Sequence, residues 1–125
     1  SKFRVIKIND VVNLEKSIFH GQIISGHYVQ GHIDTTGIVK DILIIDKSWV
    51  LKILIPVSQK KYLVTKASIA INGVSLTVSS IKKNIFEISV VPHTLKLTNL
   101  IKLKKLSLVN VEFDIFSKYL INLKK

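Results

Sequence analysis

Runs of β-branched and aromatic residues, each of strand length and most followed by turn-forming residues, recur along the chain at residues 5–8, 37–45, 49–55, 68–71, 75–81, 85–91 and 108–113. Several alternate apolar with polar residues, the period-two pattern of a strand with one buried face. Between them stand Asp46-Lys47-Ser48, Asn72-Gly73 and Lys82-Lys83-Asn84. Asn-Gly in particular accepts the positive φ of a tight hairpin turn. Short strands at this even spacing predict an all-β fold. The need to hide sheet edges points to an antiparallel barrel or sandwich, with closure as the way to remove edges altogether. Two short helices are expected, over 57–63 after Pro56 and over 94–100 after Pro92. Neither is long enough to be stable by itself.

A chain of 125 residues, 47% of them hydrophobic, fills one core and leaves no room for a second complete domain. No apolar run is long enough to span a bilayer, and Ser1-Lys2-Phe3-Arg4 has none of the apolar character of a secretory signal. Cytoplasm is the expected compartment, with no membrane partner. With no cysteine there is no disulfide, no thiolate metal ligand and no cysteine nucleophile. The net charge of +11 would ordinarily suggest a phosphate-bearing partner. Yet Arg4 is the single arginine, so the guanidinium fork that reads phosphates and base edges is nearly absent. The lysines fall as pairs (Lys60-Lys61, Lys82-Lys83, Lys104-Lys105, Lys124-Lys125) with no stripe of aromatics for bases to stack on. The reading is therefore of no nucleic-acid partner, with a basic nucleic-acid-binding barrel kept as the alternative of a different class.

Three segments carry chemistry. SGHYVQGHID at 25–34 holds His27 and His32 five residues apart. With only His20 and His93 beyond them no tetrahedral metal set is evident, and both fit strand-end positions. In KASIAINGVSLTV at 66–78, strand geometry puts the hydroxyls of Ser75 and Thr77 on one face and Leu76 on the other. Facing a barrel interior, each hydroxyl would cost about 1 to 3 kcal/mol unless bonded, either to a ligand edge or to a backbone carbonyl. VVPHTL at 90–95 joins a strand to a helix, where Thr94 either caps the helix, worth about 1 kcal/mol, or offers its hydroxyl to a ligand. Lys66 is by default a surface lysine and Asp114 a solvated strand-end acid.

In order and spacing these segments resemble the C-terminal lumazine-binding repeat of the riboflavin synthases, over about residues 10–119. The resemblance implies a closed antiparallel six-stranded Greek-key barrel with short helices. It implies a dismutation in which two molecules of 6,7-dimethyl-8-ribityllumazine exchange a four-carbon unit, giving riboflavin and 5-amino-6-(ribitylamino)uracil without cofactor or metal. It also implies a homo-oligomer, a trimer built around a C-terminal helix. Residue by residue it assigns Gly31, His32, Ile33, Lys66, Ser75, Leu76 and Thr77 to ring recognition. Ser89, Val90, Val91, Pro92, His93 and Thr94 go to the ribityl chain and ring edge, and His32, Ser75 and Asp114 to proton handling. The family's first repeat carries a cysteine in its Asn-Gly-X-Cys-Leu-Thr strand; here Ser75 stands at that position. A non-catalytic lumazine or flavin binder is the alternative within the family.

Val12-Asn13-Leu14-Glu15 also echoes Val109-Asn110-Val111-Glu112. Since the family joins two copies of one barrel, residues 1–20 are expected to be the last strand of a preceding repeat plus a linker. Residues 21–125 are expected to form the C-terminal barrel with the start of a C-terminal helix, the whole being one piece of a two-repeat protein.

Overall fold

The computed structural model describes residues 31–123, together with the backbone of Ile23–Ile24 and His27–Tyr28. These last two segments, β1 and β2, pair antiparallel as a separate two-stranded sheet. The remaining strands are β3 (Thr35–Ile45), β4 (Ser48–Leu54), β5 (Ser68–Ile71), β6 (Val74–Lys82), β7 (Ile85–Val90) and β8 (Leu108–Phe113). They close into a barrel in the order β3-β4-β7-β6-β5-β8, every pair antiparallel. β5, β6 and β7 form a meander whose two sides are closed by β8 and β4, which is Greek-key connectivity. The expected strand at 5–8 and the echo at 12–15 lie outside the described residues.

Alternation places Val39, Leu51, Ile53, Ile69, Ile71, Val74, Leu76, Val78, Phe86, Ile88, Val90, Val109, Val111 and Phe113 in one core. Turn chemistry is as the sequence demands: Asp46, Lys47, Asn72, Gly73 and Lys83 all have positive φ. Gly37 answers a different need. A Cβ built on it would stand 2.7 Å from Ile53 Cγ2 and 3.1 Å from the carbonyl oxygen of Leu54, so only glycine lets β3 approach β4 there.

The short helices depart from expectation. Residues 57–63 were expected as a helix and form a 3-10 helix, Val57–Tyr62. The helix expected over 94–100 is two elements, α1 (Pro92–Leu97) and a 3-10 turn (Asn99–Lys102), divided at Thr98, whose φ of −127° and ψ of 173° are extended. The reason is the Thr98 hydroxyl. It donates to the carbonyl of Thr94 at 2.8 Å, ending the first element, and accepts from the N–H of Leu100 at 3.3 Å, capping the second. Leu95 and Leu100 then both reach the barrel core. α2 (Ile115–Leu123) follows β8. No helix among the described residues is long and apolar enough to cross a membrane.

Candidate functional site

β6 must keep Val74, Leu76 and Val78 in the core, so Ser75, Thr77 and Ser79 point away from it. This corrects the expectation that the Ser75 and Thr77 hydroxyls face the barrel interior: three branched side chains bury far more apolar surface than two hydroxyls. The hydroxyl face lies on the outside of the barrel, where Ser75 is nonetheless 1% exposed.

The β6–β7 ladder runs from Lys82 opposite Ile85 to Val78 opposite Ile88 and ends there. Beyond it Ser75 and Thr77 remain paired to Ala70 and Ser68 of β5, while Ser89 and Val90 remain paired to Val50 and Trp49 of β4. A cavity of about 260 Å³ lies along this outer face. Ser75, Leu76, Thr77, Val78 and Ser79 of β6 form one wall, and Ser89, Val91 and Thr94 line it from β7 and the start of α1, with Lys66 also at its edge. Leu76 and Val78 border the cavity while belonging to the core. Lys66 has φ 75° and donates its N–H to the carbonyl of Val78 at 2.8 Å, which fixes the chain at the cavity edge. Val91 is the N-cap of α1 and supplies no side-chain cap, so Thr94 is not the capping residue. It sits inside the first turn, half-buried, and lines the cavity.

Of the expected residues, the cavity therefore gathers Lys66, Ser75, Leu76, Thr77, Ser89, Val91 and Thr94. Val90 belongs to the core, and Pro92 and His93 are exposed on α1 outside the lining. Gly31, His32 and Ile33 are outside the lining, in a segment tied to β8 and α2, although Glu112, which holds Gly31, is paired to Ala70 and Ala70 in turn to Ser75. Gly31 donates its N–H to Glu112 Oε1 at 3.2 Å. Asp34 is the joint: it accepts from the N–H of Phe113 at 2.8 Å and from Lys118 Nζ at 3.1 Å. The His32 side chain is 70% exposed, its Nε2 3.6 Å from Asp34 Oδ1. Asp114 caps α2, accepting from the N–H of Phe116 at 2.9 Å. Among the described residues no three His, Cys, Asp or Glu side chains are grouped to hold a metal ion.

Sequence reasoning missed Ser79 and Asp34. Ser79 turns outward by alternation after Val78, and a β-bulge falls at it, since Val78 stands opposite Ile88 but Ser80 opposite Glu87. The signal was the pattern Val78-Ser79-Ser80-Ile81, in which strict alternation would turn Ile81 outward. For Asp34 the sequence held no local signal, its partners lying 79 and 84 residues away.

The protein is a closed Greek-key β-barrel with a cleft on its outer face to which Ser75, Thr77, Ser79, Ser89 and Thr94 contribute. Residues 30–114 match the model of the lumazine binding domain, and the chain belongs to that family. It is 37% identical over 118 residues to the riboflavin synthase of Photobacterium leiognathi, covering 94% of this chain and 54% of that protein. To the riboflavin synthase of Buchnera aphidicola subsp. Schizaphis graminum it is 39% identical over 123 residues, 97% of this chain and 59% of that protein. The chain thus spans little more than half the length of these curated relatives. The crystal structure of LumP complexed with 6,7-dimethyl-8-(1'-D-ribityl) lumazine superposes with a TM-score of 0.68 at 28% identity, over 74% of this chain and 52% of that one.

Proposed function

We propose that this chain binds 6,7-dimethyl-8-ribityllumazine in the cleft between β6, β7 and α1, and that it is the C-terminal lumazine-binding half of a cytoplasmic riboflavin synthase. The observation that carries the reading is the convergence of Lys66, Ser75, Thr77, Ser89, Val91 and Thr94 on one cavity, in a chain whose relatives are riboflavin synthases. A pteridinedione edge sets one ring N–H donor between two carbonyl acceptors, which hydroxyls and strand backbone can meet in one plane. Lys66, Ser75 and Thr77 are assigned to the ring, and Ser89, Val91 and Thr94 to the flexible polyol. Fluorescence-quenching titration with the lumazine and with riboflavin tests the assignment; no binding of either refutes it.

In the proposed reaction the four-carbon unit of one lumazine passes to the other, leaving riboflavin and 5-amino-6-(ribitylamino)uracil, with no atom gained or lost. Of the proton-handling candidates Ser75 lies inside the cavity. His32 and Asp114 serve only where the second lumazine is held against the surface that carries them. Residues 1–20 are read as the end of a preceding repeat; in β8 the matching Val-Asn-Val-Glu motif puts Val109 and Val111 in the apolar core, with Asn110 and Glu112 also buried.

Self-association, as a trimer, belongs to the same reading. Phe116, Tyr119, Leu120 and Leu123 recur at helical spacing on α2, and all are exposed. A second reading, a lumazine or flavin carrier without turnover, is favoured by the likeness to LumP, solved with 6,7-dimethyl-8-(1'-D-ribityl) lumazine and with riboflavin. Conversion of the lumazine by the two-repeat protein separates the two.

A further inference from the structure

We propose that Ser79 is a specificity-determining residue of the cleft, presenting a hydrogen-bond acceptor to a donor group of the bound lumazine or flavin; this rests on the lumazine-binding reading. Alternation along β6 turns Ser79 outward, and the bulge falls at that residue. Val78 opposite Ile88 and Ser80 opposite Glu87 leave Ser79 as the extra residue of β6. The insertion keeps Val78 and Ile81 against the core while Ser79 and Ser80 both stay exposed. Bulges re-aim side chains in this way beside binding sites. Of these two serines, Ser79 lines the cavity.

Its chemistry is narrowed by a bond it already makes. The Ser79 hydroxyl donates its proton to the carbonyl of Glu87 at 3.0 Å, the residue that faces the bulge. A hydroxyl has one proton and two lone pairs, so what remains for the cavity is acceptor capacity. A lumazine or flavin offers two kinds of donor, a ring N–H and the polyol hydroxyls, and either satisfies this acceptor. A ligand group that carries only acceptors there is disfavoured, because two facing lone pairs replace a bond.

The test is a chemical double cycle on the full 125-residue chain. The parent, S79A and S79T are titrated by fluorescence quenching with riboflavin, with 3-methylriboflavin, which lacks the ring donor, and with lumiflavin, which lacks the polyol. S79A is expected to weaken riboflavin binding roughly three- to tenfold, and S79T to restore it. One of the two truncated ligands is expected to be indifferent to S79A, and that ligand identifies the donor. Equal riboflavin affinity of S79A and parent overturns the assignment. So does an equal penalty on all three ligands, the result if Ser79 only supports the bulge. Failure of the parent to bind riboflavin or 6,7-dimethyl-8-ribityllumazine overturns the lumazine-binding reading itself, and this inference with it.

Discussion

Asn72 and Asn110 hold each other across the seam between the β5–β6 turn and β8: the N–H of Asn72 donates to the carbonyl of Asn110 at 2.9 Å, and Asn72 Oδ1 accepts from the N–H of Asn110 at 2.8 Å. Asn72 also has φ 50°, so one residue supplies both the left-handed turn and the acceptor. Asn72→Gly keeps the backbone and loses the acceptor, and should cost about 1 to 2 kcal/mol in urea denaturation. Asn72→Ala loses both and should cost about 1 kcal/mol more. Equal stability of the two variants would mean that the turn conformation carries no cost here.

Gly37→Ala is expected to destabilise the barrel by about 1 to 3 kcal/mol through overpacking. The added methyl meets Ile53 Cγ2 at 2.7 Å and the Leu54 carbonyl at 3.1 Å. Ile53 is fully buried, and a ladder carbonyl has no freedom to retreat. A thermal melt of the variant at the parent's midpoint would refute the close approach.

The orientation of β6 is tested by neighbours. Leu76→Ala should lower stability by about 2 to 5 kcal/mol, because Leu76 packs in the core. Thr77→Ala should leave stability within about 0.5 kcal/mol and weaken ligand binding by about 1 to 3 kcal/mol. If the two exchange effects, the strand faces the other way.

That pair also shows what was legible in the sequence. The alternation of Ser75-Leu76-Thr77 was plain, and so were the Asn-Gly turn and the bounds of β5 and β8. Which face of β6 looked inward was not, because that depends on the summed burial of Val74, Leu76 and Val78 against the whole core. Thr98 escaped for a local reason: its hydroxyl competes with the helix backbone, and composition alone does not say which wins. The tie between Gly31–Asp34 and the β8–α2 corner rests on Asp34 bonds spanning 79 and 84 residues, which only the closed fold brings together.

The exposed stripe on α2 predicts an association that can be switched off. Phe116 is 72% and Leu120 57% exposed, one turn apart. The double variant Phe116→Asp, Leu120→Asp should sediment as a monomer under conditions where the parent self-associates. Its melting curve should otherwise keep the barrel transition, since neither side chain belongs to the core. A parent that is monomeric at every concentration would rule out assembly through α2.

The last expectation concerns turnover. The dismutation needs two lumazines held face to face, because fixed proximity replaces a bimolecular encounter and supplies a large share of the rate. On the proposed reading the cleft of β6, β7 and α1 holds one of them. Two copies of this chain could bring two such clefts together, but each would present Ser75 where the family's first repeat has a cysteine. The 125-residue chain should therefore bind the lumazine and form negligible riboflavin, and a chain that also carries the first repeat should convert it. Steady-state riboflavin formation at saturating lumazine decides the matter: turnover by the short chain close to that of the two-repeat protein would show that one kind of barrel suffices.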